Sequence, residues 1–376
     1  MMDIKQYQNV NESFQRRLIY HVGNNCGFFV ELNYMLNAML YCLEHGLRFQ
    51  IYFDALSSAG HPPRGLSTSQ FSVLSLSHRA HKHPPRGLPG EGWTEFFLPF
   101  CTEVHEPFHR RYNFHRPPSW RRIFRNTLRE RSFRFVVWKL KTMLLTVIGH
   151  VKAYRVYGER VLLGQDVAPE PATYYHIPAL GIQGDYYQAY GELARMVWRL
   201  RPEILAREAE VVQALRLPPH YAGIQIRGGD KSSEAQLIDG RPMVAALAPA
   251  DGDCVFVLTD DVRLLNDVRA AFPRVRFFSM CSPTDKGYDH QAFSKASPQV
   301  RKDAIVRLLI SVDLLLAARQ FVGSITTGPS VFIMKVRSDD TAVRAVDCPS
   351  HQLKSVLTLT IDRRAAISAL HSPSSV

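Results

Sequence analysis

The second half of the chain, from residue 222 onwards, alternates short apolar runs with stretches of helical spacing. A short apolar run bounded by turn residues is typical of a buried strand, and apolar residues three or four positions apart indicate a helix. Alternation of this kind predicts an α/β fold, with a parallel sheet covered by helices on both faces. The expected strands are 222–226, 254–258, 275–278 and 320–323, and the expected helices are 242–248, 262–271, 299–318 and one from about residue 329.

The first half of the chain opens with the same kind of unit. Residues 18–22 and 48–53 are predicted strands, and 29–43 is the predicted helix between them. A chain of 376 residues exceeds the size at which one hydrophobic core usually continues to grow, so two domains are expected. Residues 186–214 are predicted to be helical, with a kink at Pro202. We predict an N-terminal α/β domain over 1–200, a Rossmann-like domain over 201–346, and a C-terminal segment over 347–376 with a strand at 355–361 and a tail.

Charge and composition narrow the class of partner. The formal net charge of +12 favours an anionic partner, which is a nucleotide, a nucleic acid or an acidic membrane surface. The N-terminus has no signal-peptide core, and no stretch approaches the ~20 apolar residues of a membrane span, so a cytoplasmic protein is expected. The cysteines are scattered without a close pair, which predicts reduced thiols rather than a metal cage.

Two regions of the first half depart from the α/β pattern. Residues 56–92 are an irregular insert rich in Ser, Pro, Gly and His, in which the hexapeptide His-Pro-Pro-Arg-Gly-Leu occurs twice. Residues 108–142 are a basic helical region, in which 119–140 have the spacing of an amphipathic helix. Such a helix can lie on the inner, anionic face of a membrane. It can also be a surface helix that packs its apolar stripe inward, and both interpretations remain open.

The strand 222–226 is followed by the residues with the clearest chemical meaning, Arg227-Gly-Gly-Asp-Lys231. An arginine can bind a phosphate through two parallel hydrogen bonds. Glycines allow the backbone to approach a ligand closely. Ligands of open α/β sheets bind beyond the carboxyl ends of the strands. This segment therefore predicts a site for a diphosphate-bearing ligand.

Polar residues also follow two of the other predicted strands. Asp260 and Asp261 come after the strand 254–258, where they can cap the next helix, contribute carboxylates to the ligand site, or do both. A hydroxyl-rich loop follows the strand 320–323 and opens a helix, and it can bind an anion or act as a simple cap. Its hydroxyl groups are those of Ser324, Thr326 and Thr327.

Asp313 stands alone among leucines in the predicted helix 299–318. A carboxylate in apolar surroundings is costly unless it is paired. Arg307 or Arg319 could be its partner, which would make it structural. Alternatively, its two oxygens could accept the N1 and N2 hydrogens of a guanine base.

In order and spacing these blocks resemble the fucosyltransferase superfamily, which includes the α1,6-fucosyltransferases, the nodulation-factor fucosyltransferases and the protein O-fucosyltransferases. The resemblance covers mainly residues 195–335 and, more weakly, 18–53. Three departures are Gln225 where the family has histidine, Phe29 in place of a second loop glycine, and Glu234 one residue closer to the lysine than the family's candidate base. The matching segments are Gln225-Ile-Arg-Gly-Gly-Asp-Lys231, 256–261, 301–324 and Cys26-Gly27-Phe28.

The resemblance implies a GT-B architecture, with two Rossmann-like domains facing a cleft, and an inverting transfer of fucose from GDP-fucose to a glycan or lipid-linked glycan without a metal or other cofactor. Arg227 would be catalytic at the β-phosphate, and Glu234 or Asp239 would be the base. The expected donor-binding residues are Gly27, Gln225, Asp230, Lys231, Asp260, Asp261, Asp313, Ser324, Thr326 and Thr327. A nucleic acid partner is not expected, since no RNA-binding signature accompanies the charge. The alternative function is a non-catalytic GDP-sugar-binding relative docked on a membrane or another anionic partner.

Overall fold

The computed structural model describes residues 3–22, 28–53, 93–104, 106, 133–158, 161–162, 174–229, 238–289, 292–293, 296–338 and 340–358. The chain divides into two compact units. The first comprises residues 1–169 and 177–181, and the second comprises 170–176 and 182–376. The division therefore lies earlier in the chain than the expected boundary at residue 200.

The first unit contains a three-stranded parallel sheet with the strand order β2–β1–β3. Strands β1 and β2 pair from Arg16 opposite Leu47 to Val22 opposite Phe53, and α2 is the crossover that a parallel pair requires. Its elements are α1 (Ile4–Ser13), β1 (Arg16–Val22), α2 (Phe28–Glu44), β2 (Leu47–Phe53), a 3-10 turn (Trp93–Glu95), α3 (Phe133–Tyr157) and β3 (Val161–Leu162).

Helix α1 is an element that the sequence pattern did not predict. Asp3 caps it by accepting a hydrogen bond from the Lys5 backbone N–H at 3.2 Å. The buried Asn11 side chain donates to the Phe49 carbonyl at 2.9 Å and accepts from the Phe49 N–H at 2.7 Å. One amide side chain thus satisfies the backbone of Phe49 at the edge of β2, while Thr102 and Val104 bond the backbone of Ile51. Most residues of this short helix are polar, and Tyr7 and Asn11 are its buried positions, so the segment was not recognised as a helix.

The second unit contains a five-stranded parallel sheet with the order β10–β9–β6–β7–β8. A two-stranded sheet of β4 (Tyr175–Ile177) and β5 (Ile182–Gly184) precedes it, with a 3-10 turn (Pro178–Leu180) between them. The elements that follow are α4 (Tyr186–Val197), α5 (Pro202–Leu215), β6 (Ala222–Ile226), α6 (Gly240–Leu247), β7 (Cys254–Thr259), α7 (Val262–Ala271), β8 (Arg276–Phe278), α8 (Pro298–Ala317), β9 (Gln320–Gly323), α9 (Gly328–Val336), β10 (Val343–Ala345) and α10 (Ser350–Thr358).

The strand order places a topological switch point between β6 and β9. From β6 the chain builds outward through β7 and β8, and it then returns to the other side of β6 to form β9 and β10. All residues of β6 are buried, as a central parallel strand requires. The predicted α/β class is confirmed, and the sheet presents the crevice at which ligands of such folds bind.

Two sequence predictions are corrected by the second unit. The expected strand at 355–361 is wrong for its described part, because 350–358 form α10; the short apolar run there did not distinguish a strand from a helix. The expected single kinked helix over 186–214 is two helices, since Pro202 begins α5 at its first turn, where proline is favoured.

The insert 56–92 and the greater part of the basic region, residues 107–132, lie outside the described residues. The described end of that region belongs to α3. Among the helices that the structure describes, none is both long enough and apolar enough to cross a membrane.

Candidate functional site at the carboxyl ends of β6, β7 and β9

Arg227 lies directly after β6, at the carboxyl edge of the second sheet. Its Nε is 3.7 Å from a carboxylate oxygen of Asp260, which follows β7. Its Cζ lies 5.4 Å from the centre of the Tyr288 ring, a distance at which a cation is attracted to an aromatic face. The guanidinium is therefore fixed by a carboxylate and a ring at the edge where a ligand is expected.

The Asp260 carboxylate joins three segments of the chain. Its Oδ1 accepts a hydrogen bond from the Gly228 N–H at 2.7 Å, and its Oδ2 accepts one from the Tyr288 N–H at 3.1 Å. Its backbone carbonyl accepts a third from Gly287 at 2.8 Å. Asp260 was expected to bind the donor, but both of its oxygens already hold the loops around Arg227. We assign it a positioning role.

The two glycines after Arg227 allow a close approach within the protein itself. Gly229 has a φ of +71°, and a Cβ there would lie 2.4 Å and 2.5 Å from the carbonyl oxygen and nitrogen of Tyr288. Gly287 has a φ of +96°, and a Cβ there would lie 2.6 Å from the backbone of Gly229. The sequence predicted close approach to a ligand at this point, whereas Gly229 packs against the backbone of the 287–288 turn.

Gln225 connects β6 to the start of α9 across the switch point. Its buried side-chain Oε1 accepts hydrogen bonds from the hydroxyls of Thr327, at 2.8 Å, and Ser330. The Thr327 hydroxyl is therefore engaged with Gln225, and no side chain caps the first turn of α9. An uncapped helix N-terminus presents backbone N–H groups and a partial positive charge. At the carboxyl edge of the sheet this arrangement suits an anion.

Ser324 belongs to the interior of the β9–α9 loop. Its hydroxyl donates to Asp347 at 2.6 Å, and Asp347 also accepts from the Ile325 N–H at 3.0 Å. The Thr326 N–H in turn donates to the Ser324 hydroxyl at 3.0 Å. Ser324 and Asp347 therefore shape the loop, while the half-buried Thr326 lies nearer its surface.

Two residues of this site were missed by the sequence analysis: Tyr288 and Asp347. The sequence carries one signal for each of these residues. Tyr288 follows a glycine in a turn-rich segment, and Asp347 follows a short apolar strand. Neither signal indicates a partner, because both partners are distant in sequence.

The other two carboxylates near the predicted crevice are helix caps. Asp261 accepts from the backbone N–H of Arg263 at 2.9 Å and pairs with its guanidinium; the side-chain hydrogen bond to Arg263 lowers the pKa of Asp261. Asp239 caps α6 in the same way, and the hydrogen bond from Arg241 lowers its pKa. A general base works best with a pKa near the operating pH. The geometry therefore counts against Asp239 as the base and favours the capping role for Asp261.

Asp313 lies away from these groups. A crossover helix runs back toward the amino ends of the strands, and Asp313 is near the end of α8. The carbonyl of the next residue, Leu314, accepts a hydrogen bond from the hydroxyl of Tyr221, which directly precedes β6. Asp313 itself accepts from the indole N–H of Trp198 at 2.7 Å and faces Glu208 on α5. The structure does not bring it together with Arg227, so a guanine-reading role is not supported.

The arginines proposed as partners of Asp313 are engaged elsewhere. Arg307 pairs with Asp285 at 2.8 Å, and Arg319 pairs with Asp253 at 3.2 Å. The partner of Asp313 is instead a second carboxyl group, Glu208. Burial, and then the neighbouring Asp313, raise the pKa of Glu208 to about 8. Burial likewise raises the pKa of Asp313. Burial and the facing carboxyl group both favour the protonated form of Glu208, which allows the two carboxyl groups to share a proton.

Replacing Glu208 with glutamine is expected to change how stability depends on pH. The pKa of Glu208 is ordinarily 4.5, and in the folded protein it is about 8. Between these two pH values the folded state therefore holds a proton that the unfolded chain releases. Its contribution to stability is complete below pH 4.5 and is lost as pH rises toward 8. Glu208→Gln removes this titration. Unfolding temperatures measured from acidic to mildly alkaline pH should therefore fall less steeply for the variant than for the wild type.

The matched control is Glu210→Gln, which makes the same change at an exposed position of the same helix. It should keep the wild-type pH profile. Superimposable profiles for Glu208→Gln and wild type would show that the carboxyl pair does not share a proton.

Four predicted site residues, Gly27, Asp230, Lys231 and Glu234, lie outside the described residues. Their roles stay predictions. Within the described ranges, no three His, Cys, Asp or Glu side chains group in a way that could hold a metal ion. The absence of a metal requirement also stays a prediction of the family resemblance.

Comparison with known proteins shows similarity at the level of structure. No protein-family model matches the sequence, and no curated protein sequence matches it. NodZ α-1,6-fucosyltransferase from Bradyrhizobium is similar, with 14% identity, coverage of 86% of this chain and 92% of NodZ, and a TM-score of 0.42. A mutant of Arabidopsis thaliana FUT1 in complex with GDP shows 8% identity, coverage of 88% and 73%, and a TM-score of 0.44.

POFUT1 in complex with GDP is also similar, with 10% identity, coverage of 88% of this chain and 97% of POFUT1, and a TM-score of 0.37. NodZ crystals have been soaked with GDP-fucose. These neighbours are fucosyltransferases, the superfamily that the sequence motifs resemble. Identity and TM-score are both low, and the function is therefore inferred from the residues of the site.

Proposed function

We propose that this protein is a glycosyltransferase that transfers a sugar from a GDP-sugar donor, GDP-fucose, to a glycan acceptor. The observation that supports this proposal is the arrangement at the switch point between β6 and β9. There, Arg227 is fixed at one strand end by Asp260, and the uncapped N-terminus of α9 follows the adjacent strand. Positive charge from a side chain and from a helix therefore lies at one edge of the sheet, where a diphosphate would be stabilised.

The chemistry follows from this charge. In the transfer, the acceptor hydroxyl attacks the anomeric carbon of the sugar, and the bond from that carbon to the β-phosphate oxygen breaks. Negative charge grows on the departing GDP as it breaks. In this proposal Arg227 binds the β-phosphate and stabilises this charge, while the α9 amides bind a second phosphate oxygen. Lys231, four residues after Arg227 in the sequence, would add a further positive charge.

The acceptor proton requires a base. Asp239 caps α6 and has a lowered pKa, so Glu234 is the carboxylate that we propose for this role. The identification of the donor as GDP-fucose, the inversion and the absence of a metal all rest on the resemblance of the motifs to the fucosyltransferase superfamily. The same resemblance suggests a cytoplasmic role in polysaccharide biosynthesis.

One observation favours a second candidate, a GDP-sugar-binding relative without turnover. Gln225 occupies the family's histidine position, and an amide cannot accept a proton. Its oxygen is in addition engaged by Thr327 and Ser330. If the histidine of the family acts in proton transfer, this chain would bind the donor without transferring the sugar.

Nucleotide binding and turnover test both candidates. GDP should raise the unfolding temperature more than ADP or UDP at equal concentration, because a ligand of the folded state alone stabilises by RT ln(1 + [L]/Kd), about 2.7 kcal/mol at a hundredfold excess over Kd. Asp313→Asn, which lies away from the site, should keep the preference for GDP. Release of GDP from GDP-fucose that increases with a glycan acceptor identifies the enzyme. Binding without release identifies the relative, and equal shifts with all three nucleotides contradict a GDP-sugar site.

A further inference from the structure

Helix α3 has one face packed in the first unit. Ala153 is fully buried and packs with Ile19 of β1 and Tyr52 of β2. Thr146, two helical turns earlier, is buried as well, and Tyr157 packs against the same cluster. These residues recur at helical spacing, so they define the face by which α3 covers the sheet.

The opposite face of α3 carries a second apolar stripe, and this one is exposed. The side chains are 44–64% exposed, although every one is large and apolar or aromatic. Large apolar side chains that form a continuous exposed patch mark a surface that contacts something else. The residues lie four and three positions apart in turn, and the stripe is about 21 Å long at 1.5 Å per residue. This α3 stripe consists of Leu140, Leu144, Val147, Val151 and Tyr154.

The charged residues that α3 itself carries beside the stripe are all positive. Lys141, Lys152 and Arg155 are exposed along it, and α3 contains no aspartate or glutamate. The alternating four- and three-residue spacing of the α3 stripe would also allow it to pack against a second helix in a coiled coil. A second copy of α3 packed antiparallel would bring the same cations alongside these ones, and in either orientation α3 itself offers no acidic residue to pair with them. Like charges along such a seam are destabilising.

We propose that the α3 stripe lies on an anionic lipid surface. An apolar helix face enters the boundary between headgroups and acyl chains, and lysine and arginine beside it reach the lipid phosphates. Tyr154 at one end of the stripe has the amphipathic ring that favours this interface. The charge pattern that opposes a second copy is the one that an anionic bilayer complements. The membrane contact is thus assigned to residues 140–155, and it does not depend on the function proposed for the second unit.

Flotation with lipid vesicles tests this surface directly. The full-length protein should float with vesicles of equimolar phosphatidylglycerol and phosphatidylcholine at low salt, and should not float with phosphatidylcholine alone. The affinity of the double variant Leu144→Ser/Val151→Ser for the anionic vesicles should be lower by about tenfold or more; a tenfold reduction is a loss of ~1.4 kcal/mol. The matched control is Leu205→Ser/Val300→Ser, which alters residues that are 46% and 57% exposed on α5 and α8 of the second unit, and it should bind like the wild type.

A charge variant separates electrostatic from apolar binding. Lys141→Gln/Lys152→Gln/Arg155→Gln should bind weakly at low salt, and added salt should weaken the wild type toward the same level. Failure of the wild type to bind anionic vesicles overturns the proposal, as does unchanged binding of the stripe variant. A dimer that Leu144→Ser/Val151→Ser dissociates in sedimentation would assign the stripe to a second copy. A much lower unfolding temperature for this variant than for its control would show that the chain itself covers the stripe.

Discussion

Replacing Arg227 with lysine is expected to lower the rate of sugar transfer by about 100-fold or more. Arginine can hold two phosphate oxygens in a planar fork, and lysine offers a compact charge at a different reach. Arg227 is also held by Asp260 and lies over the Tyr288 ring, contacts that a flexible ammonium would not reproduce. If the guanidinium stabilises charge on the leaving diphosphate, kcat should fall by a larger factor than the affinity for GDP.

The control for this substitution is Arg274→Lys. Arg274 is an exposed arginine that also pairs with an aspartate, Asp251, so the same chemical change is made away from the strand ends. The rate of sugar transfer by Arg274→Lys should equal that of the wild type. Near-normal kcat together with weakened GDP binding in Arg227→Lys would limit Arg227 to binding, and near-normal kcat with unchanged GDP affinity would remove Arg227 from the site altogether.

Much of the second unit could be predicted from the sequence, for a physical reason. Strands β6, β7 and β9 are buried by helices on both sheet faces, so each appears as a continuous apolar run bounded by turn residues. A series of such runs connected by helices indicates the α/β fold class. It also places the polar residues that follow each strand at the carboxyl edge of the sheet. Arg227, Asp260 and Thr327 were predicted to lie at that edge on this basis, whereas Gln225, which lies within β6, was named only from the family resemblance.

The sequence could not show which of these residues hold one another. Asp260 follows a strand as a ligand-binding carboxylate would, but its oxygens bind the backbone of Gly228 and Tyr288. The turn at Gly287 is distant in sequence from Gly229, and no local pattern indicates that the two pack together. The same holds for Asn11, whose contact with the backbone of β2 joins residues 38 positions apart and has no local signal in the sequence.

Asp313 lies away from Arg227 for a reason that the sequence does contain. Its apolar neighbours correctly indicated a buried carboxylate that needs a partner. Its position near the end of a crossover helix, however, places it toward the amino edge of a parallel sheet, opposite to the ligand crevice. Counting along the helix would have separated it from Arg227, although only the structure identifies Glu208 and Trp198 as its neighbours.

Replacing Gly229 with alanine is expected to destabilise the fold by about 3 kcal/mol or more. A non-glycine residue in the left-handed region costs roughly 1–2 kcal/mol. The added methyl group would also lie 2.4 Å from the carbonyl oxygen and 2.5 Å from the nitrogen of Tyr288, so backbone must move. Overpacking of this kind costs a further ~1–3 kcal/mol. Denaturant unfolding of the variant, compared with the wild type, measures the sum.

Gly252→Ala separates the two contributions. Gly252 has a φ of +83°, yet nothing lies within 4 Å of the position its Cβ would take, so only the backbone term of roughly 1–2 kcal/mol applies. The difference between the variants therefore measures the packing of Gly229 against the 287–288 turn. Because Asp260 ties that turn to Gly228, movement there should displace Arg227 and reduce the GDP-induced rise in unfolding temperature in Gly229→Ala only. Equal destabilisation by the two substitutions would show that the loop at Gly229 and the 287–288 turn do not support each other. The proposed anchoring of Arg227 by this contact would then be wrong.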